Sequence, residues 1–152
     1  VRYPRDTGPG QTQREPMTLL PIGRAVPLRE GREVALLVFG GLLGAAKQAA
    51  ERLDAGLVNM RFVKPLDTAL INELAGQYRL LVTLEDNAIA GGAGSGVNEY
   101  LAKRSEKPAI LNLGLPDEFL EQASRAELLA EVGLDAEGIY QAVLAHKASM
   151  DR

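Results

Sequence analysis

The sequence predicts a three-layer α/β domain built on a mostly parallel sheet of about five strands, with one antiparallel edge strand. Three observations carry that prediction. Short runs rich in Val, Leu and Ile alternate with Ala- and Leu-rich stretches of helical period. Residues that start helices stand just ahead of several of those stretches, at Asp67, Ser124 and Asp135. Pro27 interrupts the first apolar run, and a strand that has lost a ladder donor belongs at a sheet edge.

Taken in order, Ile22 to Leu28 and Glu33 to Gly40 flank the turn-like segment Arg29 to Arg32 and are expected to pair as a hairpin, the second strand buried. GLLGAAKQAAERL then sets Leu42, Ala46, Ala49, Ala50 and Leu53 near one face, as a helix covering a sheet requires. A short strand follows at Leu57 to Arg61, then a helix over Thr68 to Gln77 with Asp67 as its N-cap, then the strand LLVTLE. GGAGSG leads into a helix over Val97 to Arg104 and a strand over Ala109 to Leu113. Ser124 and Glu127 form a capping box for RAELLAEV, and Asp135 caps a last helix that turns Ile139, Ala142 and Val143 inward.

With 152 residues and 46% apolar content, the chain is long enough to bury one core and too short for two full domains. Seventeen basic residues stand against twenty acidic ones, a balance that gives no field to draw the protein to nucleic acid or to an anionic membrane. Small molecules and proteins are the expected partners. The absence of cysteine excludes a disulfide framework, thiolate zinc sites and a thiol nucleophile, and makes the cytoplasm the expected compartment. The longest apolar runs, such as VALLVF, fall far short of the roughly 20 residues that span a bilayer. The opening VRYPR, without an initiator methionine, suggests a fragment. Residues 6 to 21 combine Gly8, Pro9, Gly10, Pro16 and Pro21 with polar residues and read as a linker.

Few residues offer chemistry. His146 is the single histidine, so neither a histidine metal site nor a relay can be built on it, and it reads as a solvated side chain of the last helix. Ser95 lacks the spacing of a nucleophile elbow. The cluster Gly91, Gly92, Gly94 and Gly96 opens a helix, where free amides can cradle an anion, but it gives neither G-x-G-x-x-G nor a P-loop. A turn that lets backbones approach closely is the competing reading. Glu85 and Asp86 end a central strand at the edge where open α/β sheets bind ligands, and a solvated or interface-capping role is expected of them. Arg61 and Lys64 at another strand end suit either an anion or ion pairs within the domain. In Arg2-Tyr3-Pro4-Arg5 the proline stiffens the segment, and a guanidinium fork held there suits either phosphate oxygens or a surface carboxylate.

Several segments together resemble a known family. RYPR, LPIGRA, LVNMRFVKPLD, TLEDNAIAGGAGSGVNEYL and LNLGLPDEFLEQASRAELLAEVGLDAEGI are similar, in this order, to the C-terminal portion of the 1-deoxyxylulose-5-phosphate synthases. RF-x-KPLD and the E-[ED]-N…GG-x-G-S stretch resemble transketolase-type C-terminal domains in general, and LNLGLPD-x-F and GLDAEGI single out the synthases. The resemblance implies a transketolase C-terminal-like fold over residues 22 to 152, with residues 1 to 5 ending a preceding pyrimidine-binding domain. It implies a homodimeric, cytoplasmic enzyme, dependent on thiamine diphosphate and Mg²⁺, that condenses pyruvate with glyceraldehyde 3-phosphate and releases CO₂. The product is a precursor of isoprenoids, thiamine and pyridoxal phosphate. The motifs that hold cofactor and metal in that family are absent from this sequence, so no catalytic residue is expected here, and this domain would support dimerisation and the active-site domains. The second arginine of RYPR, Arg5, is carried over as a ligand of the acceptor phosphate. Asp6, Asn59 and Asp86 depart from the family pattern, and Asn59 removes any charge pairing made there. A free-standing interaction module, the C-terminal domain of a transketolase or of a 2-oxo acid dehydrogenase β subunit, and a small nucleotide-binding domain using GGAGSG stand as alternatives.

Overall fold

The computed structural model describes residues 19–152. Five strands form one sheet: β1 (Val26–Arg29), β2 (Val34–Phe39), β3 (Gly56–Asn59), β4 (Leu80–Ala88) and β5 (Ala109–Leu115), in the order β1-β3-β2-β4-β5. Strands β3, β2, β4 and β5 run parallel, and β1 pairs antiparallel with β3 at one edge. The sheet is thus the expected one in class, strand number and antiparallel edge.

Helices α1 (Leu43–Leu53) and α5 (Ala136–Met150) cover one face, with the short α4 (Arg125–Glu131) beside them. Helices α2 (Thr68–Gln77) and α3 (Ala93–Leu101) cover the other. The period of two in β2 divides the core between them: Val34, Leu36 and Val38 face α1 and α5, while Ala35, Leu37 and Phe39 face α2 and α3. All six residues are buried, as a strand covered on both faces demands. Ala46, Ala49 and Ala50 are fully buried on α1, and their small side chains let α5 pack closely against it. The three predicted caps form: Asp67 accepts from the Leu70 amide, Asp135 accepts from the Gly138 amide, and Ser124 and Glu127 close a reciprocal capping box.

The expected hairpin does not form, because β3 lies between β1 and β2. The segment that looked like a tight turn crosses the start of β3 instead. Arg29 donates to the Ala55 carbonyl at 2.5 Å and to the Asp54 carboxylate at 2.7 Å, and the Arg32 amide donates to the Asp54 carbonyl at 2.7 Å. Gly31 lies so close to the Ala55–Gly56 backbone that a Cβ has no room. The chain therefore steps over β3 into β2, which needs a hydrogen-bonded neighbour on each side. Helix α3 also starts at Ala93, four residues before Val97, so Gly94 and Gly96 lie within the helix while Gly91 and Gly92 lead into it.

The connection from β2 through α1 steps to β3 on one side, and that from β3 through α2 returns across β2 to β4 on the other. The sheet changes winding direction between β2 and β4, so a crevice opens beyond their C-terminal ends.

Candidate functional site at the carboxyl ends of the strands

That crevice has a volume of 230 Å³ and is lined by Phe39 and Gly40 after β2, Val63 after β3, and Glu85, Asp86, Asn87, Gly91, Gly92 and Ala93 around the end of β4. Glu85 forms its floor. It is 3% exposed and shares the α3 face of β4 with Thr83. Its carboxylate accepts the amides of Ala93 at 2.7 Å and Gly94 at 2.9 Å, the first residues of α3. A negative charge there meets two orphan N–H groups and the positive end of the helix dipole. The expected solvated role for Glu85 is corrected: the carboxylate is an internal anchor, its burial offset by charge-assisted hydrogen bonds. A carboxylate on the helix-facing side of a strand, eight residues before a glycine-opened helix, was the signal available in the sequence.

The rest of the glycine turn is likewise satisfied within the chain. The Gly91 amide donates to Ser95 Oγ at 3.1 Å, that hydroxyl donates to the Ile89 carbonyl at 3.1 Å, and the Gly92 amide donates to the same carbonyl at 3.2 Å. Amides that would cradle an external anion are thus engaged by Glu85, Ser95 and Ile89. Close approach explains two of the four glycines, Gly92 and Gly94. A Cβ on Gly92 would strike the Glu85 carboxylate and the Ala88 carbonyl, and one on Gly94 would sit 2.5 Å from Thr83 Oγ1 and 2.6 Å from Asn112 Nδ2. Both have negative or helical φ, so crowding rather than backbone handedness selects them. Gly91 is the positive-φ member, at 72°.

Asp86 works on the outer side. Its carboxylate lies against Gly40, which has φ of 80°, and accepts the Gly41 amide at 3.3 Å. Arg125, the first residue of α4, lies 3.9 Å from that carboxylate and donates to the Gly41 carbonyl at 3.3 Å. The β2–α1 loop, the end of β4 and the start of α4 are thereby tied together. Arg61 has φ of 59°, and its amide donates to Asn59 Oδ1 at 3.2 Å, so Asn59 shapes the exit from β3 without a charge. Among the described residues no ion pair engages Arg61 or Lys64. His146 is half-buried on α5, far along the chain from the crevice. Arg2 and Arg5, and with them the expected boundary at residues 1 to 5, lie outside the described residues.

The transketolase C-terminal domain family matches residues 23–139 of this chain. The chain belongs to that family. Among curated proteins, the 1-deoxy-D-xylulose-5-phosphate synthase of Thioalkalivibrio sulfidiphilus is 59% identical over 95% of this chain and 23% of its own length. That of Cellvibrio japonicus is 54% identical over 99% of the chain and 24% of its own length. A solved split-gene transketolase, described as an inactive β4 tetramer, superposes with a TM-score of 0.74 at 32% identity, covering 86% of this chain and 43% of that one. This chain therefore spans about a quarter of the length of the curated relatives it matches. Against thiamine diphosphate and Mg²⁺, the groups the resemblance implies, the described residues do not fit. Glu85 holds the α3 amides a diphosphate would need, and no cluster of three or more His, Asp or Glu among them is placed to hold a metal ion. No described helix is long and apolar enough to cross a membrane.

Proposed function

We propose that this chain is the C-terminal quarter of a homodimeric, cytoplasmic 1-deoxy-D-xylulose-5-phosphate synthase, which condenses pyruvate with glyceraldehyde 3-phosphate and releases CO₂. The observation that carries the reading is identity of 52–59% to synthases from several bacteria over 94–99% of the chain. The share of the relatives covered, 22–24%, leaves room for separate domains that hold thiamine diphosphate and Mg²⁺. No step of the condensation runs through the described residues. The task assigned to residues 22–152 is to brace the domains that carry the chemistry and to support dimerisation, a reading in keeping with the split-gene transketolase, whose corresponding chain is described as a tetramer. Arg5 is assigned to the phosphate of the aldehyde acceptor. Anchoring that remote group orients the aldehyde carbonyl and supplies binding energy for the reaction.

The test is turnover by the full-length polypeptide containing this sequence. CO₂ release from pyruvate together with conversion of glyceraldehyde 3-phosphate into the five-carbon deoxyketose phosphate is expected. Transfer of a two-carbon unit from a ketose phosphate, or reaction only with a lipoyl acceptor, would instead make it a transketolase or a 2-oxo acid dehydrogenase subunit. The 152-residue chain by itself should not bind thiamine diphosphate with Mg²⁺ in calorimetry, and micromolar binding would overturn the assignment of those ligands to other domains.

A further inference from the structure

The two rims of the sheet differ in chemistry. At the amino ends of the parallel strands, the exposed groups are charged and paired with one another: Glu33 just before β2 meets Lys147 at 2.8 Å and Arg79 at 3.4 Å, Arg79 meets Asp151 at 3.3 Å, and Arg29 meets Asp54 at 2.7 Å. Such a rim is suited to water. At the carboxyl ends, the segments leaving the strands carry large apolar side chains in solvent. Val63 after β3 is 60% exposed, Ile89 after β4 is 39% exposed, and Phe119 after β5 is fully exposed. The chain enters the fold at the same rim. Val26 at the start of β1 lies opposite Asn59 at the end of β3, the Ala25 amide donates to Asp67 at 3.0 Å, and Gly23 packs against Pro65. The entering segment brings Leu20 and Ile22, both well exposed. Among the described residues, the other large exposed apolar side chains are Leu19 in that segment, Leu28 on β1 and Leu144 on α5.

We propose that this carboxyl rim is the docking face for the domains of the same polypeptide that lie outside this chain, with Ile22, Val63, Ile89 and Phe119 as its apolar contacts. The proposal rests on the reading of the chain as one quarter of a longer enzyme. Exposed apolar groups concentrated on one rim mark an interaction surface rather than ordinary surface scatter. The occupant follows from connectivity. The polypeptide reaches the domain at this rim, so whatever folds ahead of it is held there at high effective concentration. Among the described residues the opposite rim offers chiefly paired charges, with Leu28 beside Arg29 as the nearest large exposed apolar side chain.

Single thiols introduced in the full-length protein test this, since the 152 residues contain no cysteine of their own. Val63→Cys, Ile89→Cys and Phe119→Cys are compared with Leu144→Cys on α5, with maleimide labelling followed on the peptides by mass spectrometry. The rim thiols are expected to react about tenfold or more slowly than the α5 thiol, because a covered thiol reacts only when the contact opens. Equal rates at all four positions would overturn the proposal. So would protection that disappears on dilution into monomers, which would assign the rim to a second copy. Synthase turnover measured on the same unlabelled protein separates the two readings: a turning-over enzyme with a freely reactive rim sinks the docking face alone, and a protected rim in a protein without that turnover sinks the proposed reaction alone.

Discussion

The Glu85 carboxylate accepts the Ala93 amide at 2.7 Å, so a side chain of the sheet supplies the negative charge at the mouth of α3. The same carboxylate reaches Gly94, and both donors are buried with it. Glu85→Ala leaves two buried amides without acceptors and is expected to lower the unfolding free energy by about 2 to 4 kcal/mol. Glu85→Gln keeps one neutral acceptor and should recover part of the loss. Urea denaturation of both variants checks this, and an unchanged midpoint for Glu85→Ala would show that the helix mouth is satisfied in another way.

The glycine turn yields a graded series. Gly94→Val drives a branched side chain into Thr83 and Asn112, and Gly92→Val drives one into Glu85, so each should cost about 2 to 3 kcal/mol or more. Gly91→Ala meets no neighbour but must hold φ of 72°, for about 1 to 2 kcal/mol. Gly96→Ala lies within α3 with open space around it and should stabilise by about 0.5 to 1 kcal/mol. Thermal melts of the four variants should follow that order, and a Gly94→Val protein as stable as Gly96→Ala would remove the close-packing account.

Local chemistry was what the sequence made legible. Asp67, Ser124 with Glu127, and Asp135 each cap a helix through atoms three residues away, so the signal and its consequence sit in one short window. The pairing of β1 was not local. It depends on Arg29 and Gly31 packing over Asp54 to Gly56, some 25 residues on, and a turn-like composition at 29 to 32 serves a crossing as well as a hairpin. The burial of Glu85 is hidden in the sequence for a related reason. A carboxylate near a strand end reads as solvated unless the helix that buries it is placed correctly, and the expected start at Val97 left Ala93 and Gly94 out of α3. The phosphate role of Arg5 came from the resemblance, since RYPR by itself suits a surface carboxylate equally well.

Glu33 gives a pH dependence of definite sign. A hydrogen bond from Lys147 and the charges of Lys147 and Arg79 hold its carboxyl below the ordinary value of 4.5. A depressed carboxyl contributes stability that is complete above its unfolded pKa and is lost as pH falls through the folded one. The stability difference between wild type and Glu33→Gln should therefore be constant near neutrality and shrink below about pH 4.5. The cluster is exposed, so the difference should also narrow in about 1 M salt. A difference that widened on acidification would contradict this ion-pair origin.

Arg5 in the full-length enzyme gives the sharpest functional outcome. A guanidinium bound bidentately to the acceptor phosphate is worth roughly 1.5 to 3 kcal/mol or above, and each 1.4 kcal/mol is about tenfold. Arg5→Ala should raise the KM for glyceraldehyde 3-phosphate strongly and lower kcat/KM by about 10²-fold. Pyruvate decarboxylation without acceptor should change far less, since the phosphate has not yet entered the site. Arg5→Lys keeps the charge and loses the fork, so it should recover only part of the loss. Steady-state kinetics with each substrate varied in turn separate the cases. Acceptor kinetics in Arg5→Ala equal to wild type would return Arg5 to the role of a surface ion pair, and equal losses with and without acceptor would make it a support of the fold rather than a phosphate ligand.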